Sequence, residues 1–168
     1  MNKYKIRNKL RTIADDVSTL MNDELNKFGI NAGISFSHHV TDRLLDRSKR
    51  LDIDITRIEN ILKELYLRYL GTVLHHARFG SGDTVVLYMR YKNNLVDCLA
   101  LGTDIQYIPE TSKVKILVRT FIPMYRMSLL PHRDTVEIKK APVKRRSVSP
   151  LQKLLYSSEC PESLRLLR

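Results

Sequence analysis

The chain has 168 residues, 43% of them hydrophobic and 28% charged, with a formal net charge of +11. That composition suits one globular domain with its own core. It offers no apolar run of the roughly 20 residues a membrane span needs. A secretion signal is not expected, because the basic start at Met1 to Leu10 lacks an apolar region and a cleavage site behind it. Cys98 and Cys160 are the only cysteines. They form no metal or redox motif and fit a reducing cytoplasm.

Charge narrows the class of partner. Residues 137–168 hold eight Lys or Arg and three Glu, and residues 1–136 carry the remaining +6. A basic surface of this kind favours polyanions, above all nucleic acid. An inert basic protein or an anionic membrane surface are the competing readings.

In chain order, residues 5–28 predict a long helix. Ile6, Leu10, Ile13, Val17, Leu20 and Phe28 recur at steps of three and four, with Leu25 beside them and Gly29 as the stop. Packing on its own domain is expected for this stripe, and a coiled-coil-like dimer contact is the alternative. Asn31-Ala32-Gly33 reads as a break. A second helix then runs to about Arg50, with Ser35 or Ser37 as cap. Leu51 to Asp54 reads as a connection. A third helix starts at Ile55, where Thr56 and Glu59 fit a capping box and Asp54 is a competing cap.

From there strands are expected. Val73, His75, Ala77 and Phe79 alternate with Thr72, Leu74, His76 and Arg78. Further strands are predicted over Thr84 to Tyr91, Leu95 to Leu101 with an extension to Ile108, and Val114 to Ile122, separated by turns at 80–83, 92–94 and 109–112. Helices followed by strands imply an α+β fold. The expected architecture is N-terminal helices on one face of a four- to five-stranded antiparallel sheet. Residues 1–136 form the domain, and 137–168 form a basic, partly flexible extension carrying Lys144, Arg145 and Arg146.

The residues with chemical potential cluster in the second helix. Phe36, Val40 and Leu44 fall on one face, and His39, Arg43 and Arg47 on the neighbouring stripe. His38 and His39 diverge by roughly 100° on a helix. An imidazole gives or takes a proton near neutral pH. A guanidinium grips phosphate with a planar fork and stabilises added negative charge. Cleaving RNA without a metal needs both. A base activates the ribose 2′-hydroxyl, an acid protonates the leaving 5′-oxygen, and a cation holds the phosphate. The bland alternative is a solvated helix face on which Asp42 and Asp46 neutralise Arg43 and Arg47.

His75 and His76 are a second pair, expected on opposite faces of a strand. Neither pair chelates by itself, and no HExxH motif or cysteine cluster is present, so neither a metal nor a cofactor is expected. Lys115 and Arg119 point away from the apolar side of the last strand and are expected to complete a basic sheet surface. No Walker loop, nucleophile elbow or Cys-centred triad occurs.

Ile34-Ser35-Phe36-Ser37-His38-His39-Val40-Thr41-Asp42-Arg43, followed by Arg47 and a helix near Ile55, resembles the opening of RelE-type toxins and related small ribonucleases. The nearest likeness is to RegB-like phage endoribonucleases, over roughly residues 5–122. Leu117-Val118-Arg119-Thr120-Phe121 resembles the final sheet strand of that superfamily. The resemblance implies a RelE-like fold and a metal-independent, sequence-selective endoribonuclease that cuts mRNA to a 2′,3′-cyclic phosphate, encoded by a phage and acting in the host cytoplasm. It implies His39 as the catalytic histidine and Arg43 as its arginine. A second histidine follows the third helix in the family, and His75 or His76 is the candidate here. Arg47, His76, Arg78, Lys115, Arg119, Lys144, Arg145 and Arg146 are expected to contact RNA. The expected partners are RNA and the ribosome, with the chain itself a monomer. A non-catalytic RNA- or ribosome-binding regulator on the same fold is the alternative. A third reading is a protein-interaction factor presenting helix 5–28 to a host protein.

Overall fold

A computed structural model describes residues 1–80, 82, 84–91, 98–124 and 134–140. The long first helix is α1, Lys3–Leu25. Its buried stripe is Ile6, Leu10, Ile13, Ala14, Val17, Met21 and Leu25. Met21 takes the inward position expected of Leu20, which is exposed. The Asn2 side chain accepts from the Lys5 N–H at 2.9 Å and caps the first turn. A 3₁₀ turn over Asn26–Phe28 and Gly29 at φ 71° end the helix. That left-handed φ suits glycine and reverses the chain.

The reversal delivers a strand where a break was expected. β1 spans Asn31–Phe36. It lies parallel to β4, Lys113–Met124, from Asn31 opposite Lys113 to Phe36 opposite Val118. The helix α2 follows at His38–Arg47, then α3 at Leu51–Arg68 and α4 at Leu70–Phe79. β2 is Val85–Arg90, β3 is Cys98–Ile108 and β5 is Thr135–Glu137. The sheet order is β1-β4-β3-β2-β5. The pairings β1–β4 and β2–β5 are parallel and the other two antiparallel, so the sheet is mixed rather than antiparallel.

Three further expectations are corrected. The segment around Val73 to Phe79 is helical, not a strand. Its period-two alternation is outweighed by Leu70, Val73 and Leu74, which are buried at helical spacing, with Ala77 half-buried behind them. α3 begins at Leu51, four residues early, so the predicted capping box lies inside the helix. Thr56 Oγ1 instead donates to the Asp52 carbonyl at 2.9 Å. Asp52 and Asp54 occupy the first turn, where the helix dipole favours anions. Finally, Phe36 closes β1 and does not open the second helix.

All four helices pack on one side of the sheet. Val85, Leu87, Met89, Leu99, Leu101, Ile105, Val114, Ile116, Val118 and Phe121 face them in one core. Val86, Tyr88, Cys98 and Ala100 form a smaller cluster on the reverse face. Gly102 belongs there too, because a Cβ would come within 2.7 Å of Thr120 Cγ2. The β3–β4 register slips between Gly102 and Thr103, which leaves Arg119 as the extra residue of a bulge. The expected domain boundary at 136/137 falls within β5, and Ile138 beyond it is buried. Tyr69 Oη and Arg68 hold the backbone of Lys139, accepting from its N–H at 3.0 Å and donating to its carbonyl at 2.9 Å. The turn at Lys92–Asn94 and the cations Lys144, Arg145 and Arg146 lie outside the described residues.

β1 is an edge strand, and α1 seals its open side. Asn22 Nδ2 donates to the Ala32 carbonyl at 3.1 Å, and its Oδ1 accepts the Ala32 N–H at 2.6 Å. Ser18 Oγ accepts the Ile34 N–H at 2.9 Å. Asn22→Leu strands both Ala32 groups under the helix. The expected loss is about 1–3 kcal/mol in unfolding free energy, read as a lower urea midpoint at unchanged slope. An unchanged midpoint would show that these bonds are not what holds the edge.

Candidate functional site: the outer edge of the second helix

α2 is fixed from below and at its start. Val40, Thr41 and Leu44 are buried beneath it. The Ser37 N–H donates to the Val118 carbonyl at 2.9 Å and Ser37 Oγ to the Arg119 carbonyl at 2.7 Å. The hydroxyl predicted to cap the helix thus ties its first turn to the β4 bulge. A third restraint is the ion pair between Lys3 of α1 and Asp42. That hydrogen bond from Lys3 holds the Asp42 carboxyl below its ordinary pKa, against the upward pull of burial, and the charges of Lys3, His38 and Arg7 add to the lowering.

This arrangement leaves a cationic edge. His38 and His39 are exposed, with ring centroids 4.0 Å apart at 40°. Arg43 is half-buried and Arg47, the last residue of α2, is exposed. Neither arginine has an ion-pair partner among the described residues. The neutralisation by Asp42 and Asp46 that a solvated-face reading needs is therefore not formed. The structure brings the His38 ring against that of His39, although neighbours on a helix diverge by roughly 100°. The signal was the histidine doublet at a helix start, where both side chains are free of a preceding turn.

The second histidine pair sits on α4 rather than on a strand. His75 is exposed, 5.4 Å from the Phe79 ring, and His76 is half-buried with its ring 6.0 Å from that of His75. Burial pushes the His76 pKa down, Asp134 pulls it up and His75 lowers it further. No hydrogen bond or ring contact joins His39 to His75 or His76. Phe36, Val118, Thr103 and Val85 form one row across β1, β4, β3 and β2. α2 starts just after this row, which crosses the middle of β3 and β4, and α4 ends before it. α2 packs on β4, and α4 packs on β3 and β4. Arg78 is exposed in the last turn of α4, beside His76.

The sheet cations are placed elsewhere. Lys115 alternates with buried Val114 and Ile116, so it emerges on the face away from the helices. Arg119 turns its Nε to Asp104 Oδ2 at 3.1 Å, and Thr84 Oγ1 donates to Asp104 Oδ1 at 3.3 Å. Both belong to the reverse face, away from the helices that carry His39 and Arg43.

No protein-family model, curated protein or solved structure matches this chain. Among the described residues, no group of three or more His, Cys, Asp or Glu side chains is placed to hold a metal ion. No described helix is long and apolar enough to cross a membrane.

The depressed pKa of His76 has a consequence for stability. The unfolded chain takes up a proton near the ordinary value of 6.5, and the folded chain does so only at lower pH. Folding stability is therefore full above 6.5 and falls as the pH drops from there through the folded value. His76→Gln is expected to flatten this part of a melting-temperature profile taken from about pH 7.5 to 5. The same acid slope in the variant would assign it to another group.

Proposed function

We propose that the chain is a metal-independent endoribonuclease whose site is the outer edge of α2. The supporting observation is two touching imidazoles beside an arginine with no carboxylate partner among the described residues. His39 takes the proton of a ribose 2′-hydroxyl, and the 2′-oxygen attacks the adjacent phosphorus. Arg43, one turn along, binds the non-bridging oxygens as they gain charge. A second imidazole protonates the 5′-oxygen as the phosphorus–oxygen bond breaks. The products are a 2′,3′-cyclic phosphate and a 5′-hydroxyl end. In this reading His38 is the acid, in place of His75 or His76, because its ring already lies against His39.

The test is incubation with single-stranded RNA in EDTA, with end-group analysis of products. His39→Ala is expected to lose about 10²- to 10⁴-fold in rate, and Arg43→Ala about 10²- to 10³-fold. A loss in His75→Ala as deep as in His38→Ala would move the acid to α4. Absence of cleavage by the wild type, or equal cleavage by His39→Ala, would sink the proposal.

A non-catalytic RNA binder is the second reading, favoured by the lack of any hydrogen bond or ring contact between His39 and His75 or His76 among the described residues. It gives salt-dependent binding with no products.

A further inference from the structure

α1 is charged against its own dipole. Lys3, Lys5, Arg7, Lys9 and Arg11 fill its first half with no acid among them. Asp15, Asp16, Asp23 and Glu24 fill the second half with no base. A helix favours anions at its N-terminus and cations at its C-terminus, each by roughly 0.3–1 kcal/mol. The arrangement thus costs helix stability, and the cationic end gains from an external anion.

The five cations divide between two flanks. Lys9 turns to α3, where its Nζ lies 3.0 Å from Asp52 Oδ1. Lys3 and Arg7 lie on the flank beside α2, where both act on Asp42, and Arg11 follows Arg7 one turn along α1. Lys3 is bound to Asp42, and Arg11 reaches Asp15 only at 4.0 Å, an exposed contact of little strength. Arg7 is exposed and has no ion-pair partner among the described residues. The band continues without a break. Arg7 and His38 both act on Asp42 through space, and the His38 ring meets His39 at 4.0 Å.

We propose that this flank of α1, through Arg7 and Arg11, is a docking surface for the backbone of single-stranded RNA that leads to His39 and Arg43. It rests on the ribonuclease reading for its ligand and adds a binding surface to it. Three points favour RNA over an anionic membrane. The flank is polar apart from Tyr4, 71% exposed at helical spacing from Arg7 and Arg11, which suits base stacking. It has no row of aliphatic side chains to enter a bilayer. The band also turns from one helix onto another, along a path a flexible strand follows more readily than a flat surface does.

The experiment is fluorescence anisotropy with a labelled 2′-O-methyl RNA oligomer, which lacks the hydroxyl needed for cleavage. Arg7→Ala and Arg11→Ala are each expected to weaken binding roughly five-fold near 0.1 M salt and to lower the slope of log K against log salt by about 0.7. Arg7→Lys retains most of the affinity. Lys27→Ala, an exposed lysine at the far end of the helix, leaves it unchanged. Equal losses in Lys27→Ala and Arg7→Ala would reduce the effect to net charge and overturn the proposal, as would unchanged affinity in both arginine variants. Vesicles with one-third phosphatidylserine supply the membrane arm. Arginine-dependent pelleting with vesicles, without RNA binding, also overturns it. The two proposals separate cleanly: binding of the oligomer that depends on Arg7 and Arg11 supports the docking surface whether or not the wild type cleaves RNA.

Discussion

The structure depends on the seal between α1 and the edge of β1. A parallel edge strand has unpaired N–H and C=O groups along its outer side, and burying them without partners costs more than packing returns. Asn22 and Ser18 supply side-chain partners at spacings that one helix face provides. With that edge satisfied, Ala32 and Ile34 sit in the core while the helix covers them. β1 then carries the chain directly into α2. The histidines are positioned by this succession, because Ser37, next to the last residue of β1, ties the start of α2 to the β4 bulge.

Charge is distributed in a second layer over this frame. One acid, Asp42, is taken up by Lys3 and anchors α2 to α1. Asp104 on the reverse face occupies Arg119. The arginines Arg43 and Arg47 are left without such partners among the described residues. Two faces of the sheet therefore differ in kind. The reverse face has its charges locally compensated around Asp104 and Glu137, which pairs with Arg90 at 3.3 Å. The exposed edges of α1 and α2 hold cations in excess.

Much of this was legible in the residues. The stripe of α1, its glycine stop, the amphipathic second helix and three of the strands follow from period and turn chemistry. Three things were not. Asn31 to Phe36 is short and contains Gly33, so its strand character comes from pairing with β4 rather than from propensity. Val73 to Phe79 fits both periods, and the core decides between them by burying Leu70, Val73 and Leu74 together. The division of cations depends on strand register, since a one-residue difference sends a side chain to the other face. Lys115 and Arg119 were read correctly as pointing away from the apolar side of β4.

The sequence alone determined the α+β class, the first helix, and the row of His39, Arg43 and Arg47 along one helix edge. These are local properties, written in spacings of three to four residues. Only the tertiary structure decided that the sheet is mixed, that His75 and His76 ride a helix rather than a strand, and that His38 lies against His39. Those outcomes depend on which strand fills the edge beside β4 and which residues the core buries. Both are set by pairing between segments some 80 positions apart, as between Phe36 and Val118, and no local pattern records that choice.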